Sequence, residues 1–292
     1  MPLLPTNFAL LEPEDSDYET SRVVVLPVPF ERTTSYGKGT AGGPAAIIAA
    51  SHQVEFYDVE LRAEPCQQGI ATLPPFAPEA FDLEEALAEI QAEALEHLRA
   101  GKFLVTLGGE HSLTLAPVRA AAEVYGEIGV LQFDAHADLR DSYEGTPFSH
   151  ACVMRRIVDD GLAIAAVGLR AVSAPEAALI EQRRLPVIWG QQLDRAGELF
   201  DDLLDALPEQ VYLTFDVDFF DPAILPATGT PVPGGGLWWP TLALLRRLFQ
   251  RKQVVAMDVV ELAPAPGLHA CDFLAAQLIY KCLGYLAAGR TD

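Results

Sequence analysis

The sequence predicts a three-layer α/β/α fold with a central parallel sheet, and two observations carry that prediction. Short, largely apolar runs recur along the chain, and longer segments of helical period separate them. The runs are Val23–Val28, Phe103–Leu107, Gly129–Phe133, Ala163–Gly168, Val211–Phe215 and Val254–Asp258. They show no in/out alternation, as expected of parallel strands covered on both faces. Among the intervening segments, 82–100 places Leu83, Leu87, Ile90, Ala94 and Leu98 on one stripe. Asp82, with Glu85 three residues on, reads as a capping box at its start, and Gly101 as its stop. Ala174–Arg184, Pro240–Arg251 and Cys271–Ala288 read as further helices, and the Pro-rich piece Leu73–Pro78 as a loop. There is no repeat or linker, so residues 1–292 are expected to form one domain.

Composition narrows the function. Forty-one acidic against twenty basic residues give a formal charge of −21, which repels phosphate backbones and disfavours nucleic acid as a partner. The same field attracts a small cationic substrate, although a negative surface also serves solubility alone. No apolar run approaches the ~18 residues of a membrane span. The start, Met-Pro-Leu-Leu-Pro-Thr, has no signal or transit pattern, and a cytoplasmic location is expected. The four cysteines form no C-x-x-C pair and are expected to be reduced thiols.

Ligands of open parallel sheets collect at the carboxyl ends of the strands, and the polar clusters of this sequence stand at those ends. Gly108-Gly109-Glu110-His111-Ser112 follows one run, with the glycines permitting a turn that aims His111 over the sheet edge. Alone, that histidine reads more readily as a structural residue than as a ligand. Asp134-Ala135-His136-Ala137-Asp138 follows the next; in an extended backbone residues two apart share a face, so Asp134, His136 and Asp138 would converge. Asp216-Val217-Asp218 repeats the alternation after a third. Either segment could be a solvated turn, but three strand ends delivering four aspartates and two histidines favour bound cations. The set exceeds one tetrahedral zinc site and suits two octahedral ions, best Mn²⁺, with Co²⁺, Ni²⁺ or Fe²⁺ behind it. A water between such ions loses its proton near neutral pH and becomes a nucleophile.

In these motifs, together with Ser-His-Ala-Cys at 149–152 and Asp221-Pro222 through Pro226-Ala227-Thr228-Gly229-Thr230-Pro231, the sequence resembles the ureohydrolases, the arginases and agmatinases. The likeness begins at Pro27-Val28-Pro29-Phe30, runs through Tyr36-Gly37-Lys38-Gly39 and ends at Val260-Glu261-Leu262-Ala263-Pro264, covering nearly the whole chain. It implies the arginase-like fold and two Mn²⁺ ions per subunit. His111 and Asp138 would hold one ion, His136 and Asp218 the other, with Asp134 and Asp216 bridging. It also implies that His150 is the catalytic histidine, passing a proton with Asp138, and that Glu261 binds the substrate guanidinium. A homo-oligomer, trimer or hexamer, is expected. Glu110 departs from the family, where many members carry aspartate.

Agmatine is the substrate expected first, hydrolysed to putrescine and urea. Arginase relatives place an aspartate for the α-ammonium where Ser173 stands, and the loop Leu139–Gly145 looks like that of agmatinases, with Asp141 and Glu144 suiting a distal amine. Arg140 complicates this, since a guanidinium could welcome a carboxylate. Arginine, aminopropylagmatine and guanidino acids remain alternatives, as does a non-catalytic binding protein, which a missing ligand or a missing His150 would have marked. A nucleotide site at Gly37-Lys38-Gly39 fits neither known glycine spacing; this loop is expected at the cleft rim.

Overall fold

The computed structural model describes residues 6–289. The strands are β1 (Val23–Val28), β2 (Ile70–Thr72), β3 (Phe103–Gly108), β4 (Ile128–Phe133), β5 (Ala163–Leu169), β6 (Val187–Trp189), β7 (Gln210–Asp216) and β8 (Gln253–Val260). The helices are α1 (Pro13–Ser16), α2 (Gly43–Ser51), α3 (Leu83–Arg99), α4 (Leu115–Tyr125), α5 (Val153–Asp159), α6 (Ala174–Arg183), α7 (Ala196–Asp205), α8 (Trp238–Arg251) and α9 (His269–Ala288). The strands pair in parallel throughout, in the order β2-β1-β3-β8-β7-β4-β5-β6.

Side chains alternate across each strand, so each apolar run feeds two cores. Val23, Val25, Val105, Leu107, Leu131, Phe133, Leu213, Phe215, Met257 and Val259 pack with α2, α7, α8 and α9 on one face. Val24, Leu26, Leu104, Val130, Ile164, Tyr212 and Ala256 pack with α3, α4, α5 and α6 on the other. The three layers and the parallel sheet expected from sequence are therefore present. Asp82 caps α3 by accepting N–H bonds from Glu84 and Glu85 at 2.9 and 3.2 Å. Residues 73–80 are a loop.

The sequence pattern missed the edge strands β2 and β6, three residues each and too short to show a period. It also missed α2, whose Gly-Pro-Ala-Ala-Ile-Ile-Ala-Ala-Ser packs Ile47 and Ile48 into the core but carries alanines on its exposed face, so no amphipathic stripe shows. Among the described residues no helix is long and apolar enough to cross a membrane.

Strand order decides where chemistry can occur. β8, the last strand in the chain, lies between β3 and β7, and β4 flanks β7. Loops distant in sequence thus leave four adjacent strands at one carboxyl edge, bringing His111, Asp134, Asp216 and Glu261 together.

Candidate metal centre and active-site cleft

Two ligand clusters meet at that edge: His111 with Asp134 and Asp216, and Asp134 with His136 and Asp218. Asp134 belongs to both. Nδ1 of His111 lies 3.1 Å from Asp134 Oδ2, 3.0 Å from Asp138 Oδ2 and 3.4 Å from Asp216 Oδ2. Nδ1 of His136 lies 2.7 Å from Asp218 Oδ2 and 3.7 Å from Asp134 Oδ1. The structure thus gathers all six residues singled out in the sequence.

The backbone that delivers them differs from simple strand alternation. β4 and β7 end at Phe133 and Asp216, and the chain then turns. Asp134 Oδ1 accepts the His136 N–H at 2.6 Å, and Asp216 Oδ1 accepts the Asp218 N–H at 2.8 Å. Asp218 Oδ1 in turn accepts the Ala135 N–H at 3.0 Å. Each of these aspartates uses one oxygen to shape a turn and presents the other to the cluster, which is how Asx turns tie side chain to backbone. Asp138 reaches the centre through a left-handed backbone, φ 52°, and Glu261 through φ 66°. Such conformations are strained for non-glycine residues and persist only where surroundings enforce them. For Asp138 the enforcement is explicit: its carbonyl accepts the Arg155 N–H at 3.1 Å, and the next amide, Leu139, donates to Glu176 Oε1 at 3.0 Å. At Gly109 a Cβ would stand 2.0 Å from the Phe30 carbonyl oxygen, so only glycine permits the turn that carries His111.

Beneath His111 lies a support that the sequence reading missed. Its Nε2 lies 2.9 Å from Thr214 Oγ1, whose hydroxyl donates to Asp258 Oδ1 at 2.7 Å, while Tyr212 donates to Asp258 Oδ2 at 2.8 Å. With the Thr214 proton committed to Asp258, Nε2 is the donor, and Nδ1 is left with a lone pair facing the carboxylates. That nitrogen is buried, and although three oxygens lie near it, none is in hydrogen-bonding geometry with it. An orphaned imidazole nitrogen amid acceptor oxygens fits a metal ligand. Asp258, a carboxylate inside an apolar strand, was the visible hint.

Electrostatics agree. Burial, with repulsion from the neighbouring aspartates, pushes the Asp138, Asp216 and Asp218 carboxyls above the ordinary range. Burial also raises Glu261, to about 8. For His111, burial favours the neutral ring, but the carboxylates of Asp134, Asp138 and Asp216 within 3.4 Å of Nδ1 outweigh it and raise the imidazole well above its usual value. Burial likewise opposes His136, yet Asp218 and Asp134 hold it up, to about 12. Asp134 alone moves down, because its burial is outweighed by the two imidazoles flanking it. Every other group is driven toward its more positive form, so the cluster lacks positive charge, which two divalent cations would supply.

Above the cluster opens a cleft of about 210 Å³ lined by His136, Asp138, Asp216 and Asp218 together with His150 and Glu261. His111 and Asp134 are buried and do not line it. Glu261 Oε1 accepts the His111 N–H at 2.6 Å. His150 Nδ1 lies 3.2 Å from Thr33 Oγ1, and the Tyr143 ring meets the imidazole edge-on at 5.8 Å. Arg140 stacks over Tyr143 at 5.1 Å and also lines the cleft. The expectation that Asp141 and Glu144 face a distal amine is not met: neither lines the cleft, and Asp141 pairs with Arg156 at 3.2 Å. The glycine loop does form the rim, Gly37 N–H donating to Gly229 O at 3.1 Å.

The fold and these clusters define a parallel-sheet α/β protein with a two-cluster ligand set at its carboxyl edge, of a kind that could hold a pair of metal ions. Residues 21–284 match the family model described as the arginase family. The chain belongs to that family. It is 41% identical over 277 residues to the N(1)-aminopropylagmatine ureohydrolase of Synechocystis sp., covering 92% of this chain and 90% of that protein. It is also 41% identical over 271 residues to the Thermus thermophilus protein of that name, covering 93% and 92%. The agmatinase of Pyrococcus horikoshii is 34% identical, covering 94% and 93%. Among solved structures, the agmatine ureohydrolase of Thermoplasma volcanium superposes with a TM-score of 0.86 at 29% identity, over 98% of this chain and 95% of that one.

Proposed function

We propose that this chain hydrolyses N(1)-aminopropylagmatine to urea and the corresponding triamine. The observation that carries the reading is the pair of ligand clusters sharing Asp134 beneath a cleft that also holds His150 and Glu261. The choice of substrate revises the expectation drawn from the sequence, which put agmatine first. The aminopropylagmatine enzymes named above are more similar to this chain than the agmatinase beside them, and Asp141 and Glu144, read from the sequence as suiting a distal amine, do not line the cleft.

In this reading His111, Asp134, His136, Asp138, Asp216 and Asp218 would together hold two Mn²⁺ ions; an oxygen-rich set with two imidazoles supports manganese. Bound there, the ions supply water activation at neutral pH and positive charge against the charge developing in the transition state. The chain's own residues do the rest. Glu261, with Oε1 engaged by the His111 amide, offers Oε2 to the guanidinium and fixes its plane. Asp138 and His150 pass the proton that the amine nitrogen gains as its bond to the guanidinium carbon breaks and water oxygen adds to that carbon. We further infer a cytoplasmic homo-oligomer, trimer or hexamer. Four buried free thiols support the first part, and an exposed hollow lined by Tyr57, Val59 and Trp239, which a second copy could cover, supports the second.

The test is urea release with Mn²⁺ across aminopropylagmatine, agmatine, arginine and guanidinobutyrate. The highest kcat/KM is expected for aminopropylagmatine, and a preference of more than ~10-fold, about 1.4 kcal/mol, for another compound would overturn the substrate assignment. Agmatine is the second reading, favoured by the superposition on the Thermoplasma volcanium enzyme.

A further inference from the structure

The geometry points to Thr33 and Glu110 as positioning residues for His150, setting its tautomer and stabilising the imidazolium that forms as it carries a proton. The inference rests on the ureohydrolase reading above and concerns residues that the reading leaves without a role.

Glu110 is fully buried, and every contact to its carboxylate is a donor. Oε2 accepts the backbone N–H groups of Arg32, at 2.6 Å, and of Thr33; Oε1 accepts the Thr33 hydroxyl at 2.7 Å and the Ser112 hydroxyl. The Thr33 proton is therefore committed to Glu110, and Oγ1 has only lone pairs to offer in other directions. Two groups of His150 approach it, the backbone N–H at 2.9 Å and Nδ1 at 3.2 Å. A bare Nδ1 would set lone pair against lone pair, so Nδ1 carries the hydrogen. Ser149 Oγ, 3.3 Å from the same nitrogen, can share that proton as a second acceptor.

Two consequences follow. The basic nitrogen is Nε2, which has no protein partner among the described residues, in a ring that lines the cleft. When Nε2 is protonated, the positive ring has a hydroxyl at Nδ1 backed by a carboxylate one bond away. That is the arrangement by which a buried acid orients and supports a catalytic imidazole, with threonine interposed as a rigid spacer. The chain also fixes the loop: Thr33 holds His150 through main chain and ring at once, and Glu110 holds Thr33 in the same way. Glu110 precedes His111, so one turn after β3 serves both the ligand cluster and the proton-carrying residue.

The experiment uses the full-length Mn²⁺-loaded enzyme and urea release from the best substrate. Thr33→Val keeps the shape and removes the hydroxyl; Thr33→Ser keeps the hydroxyl. Thr33→Val is expected to lower kcat by ~30-fold or more, with KM within ~3-fold and metal content unchanged, while Thr33→Ser stays within ~3-fold of wild type. In a His150→Asn background Thr33→Val should add less than ~2-fold, since both changes remove one device. Thr33→Ala is the second hydroxyl-free variant, should the valine protein fail to fold. Full activity without the hydroxyl, equal damage from serine and valine, or additive losses in the double variant would each overturn the inference while the wild type stays active. A wild type inert toward every guanidino compound would instead remove the functional reading beneath it.

Discussion

Two regions bury carboxylates, and they do so to opposite effect. At the carboxyl edge of the sheet, Asp134, Asp138, Asp216 and Asp218 crowd round two imidazoles. Near α9, Asp58 and Glu60 close on Lys281, whose Nζ donates to Asp58 Oδ2 at 2.8 Å and Glu60 Oε2 at 2.6 Å. Arg246 and Tyr285 complete that second group, donating to Glu60 at 2.8 and 3.0 Å. There, burial would raise the carboxyls, but hydrogen bonds and charge from Lys281 outweigh it and both lie below their ordinary values. At the sheet edge, three of four aspartates lie above theirs. The α9 cluster carries its own counter-charge and is finished as folded; the edge cluster has too little positive charge of its own and is suited to cations that would supply it.

The comparison breaks first at Asp134, the residue common to both ligand groups. Asp134→Asn should lower urea release by ~10³-fold or more and cut bound manganese, because one neutral amide then faces both imidazoles. Metal analysis with activity after Mn²⁺ reloading checks this. A variant that keeps both ions and full turnover would show that the clusters are ordinary buried polar groups. Next in size, Lys281→Met leaves Asp58 and Glu60 without their main cation and should cost about 3 kcal/mol in denaturant unfolding, with activity per folded molecule unchanged.

The sharpest contrast is one of sign. In metal-stripped protein, Asp216→Asn removes a carboxylate that repels its neighbours and should raise stability by about 1 kcal/mol, whereas Asp58→Asn removes one that is paired and should lower it. Both are read from unfolding midpoints in the presence of chelator. Destabilisation by both would mean that the edge aspartates are held mainly by their backbone turns, the bonds from Asp134 and Asp216 to the amides two residues on.

How much of this was legible beforehand follows from the range of the interactions. The strand runs and the six candidate ligands stand in short motifs, where residue type and a few residues of spacing suffice. The supports do not. Thr214 and Asp258 are 44 residues apart and meet only because β7 and β8 align them in register, which depends on the last strand inserting between β3 and β7. Thr33 and Glu110, 77 residues apart, meet because the loop after β1 lies beside the turn after β3. Alternation placed Asp138 and Asp218 at the right point for the wrong reason, since turns and one left-handed residue deliver them. The loop's acidic residues read from sequence as facing a distal amine, but Asp141 pairs with Arg155 and Arg156, which follow in the chain, and Glu144 does not line the cleft.

The smallest effect expected is a pH dependence that belongs to the balanced cluster alone. Asp58 and Glu60 have folded values below their unfolded ones, so below the ordinary carboxylate range the unfolded chain takes up protons that the folded chain resists. Their contribution is fully present above that range and is lost as pH falls through the lowered folded values. Glu60 is partly exposed, which screens its share. Unfolding free energy measured from pH 5 down to pH 3 should therefore fall less steeply in Lys281→Met than in the wild type, because the variant has already lost the interaction that acid removes. Parallel slopes would assign the acid sensitivity to other carboxylates, and the two regions would then differ in the identity of their counter-charge but not in how firmly each holds its protons off.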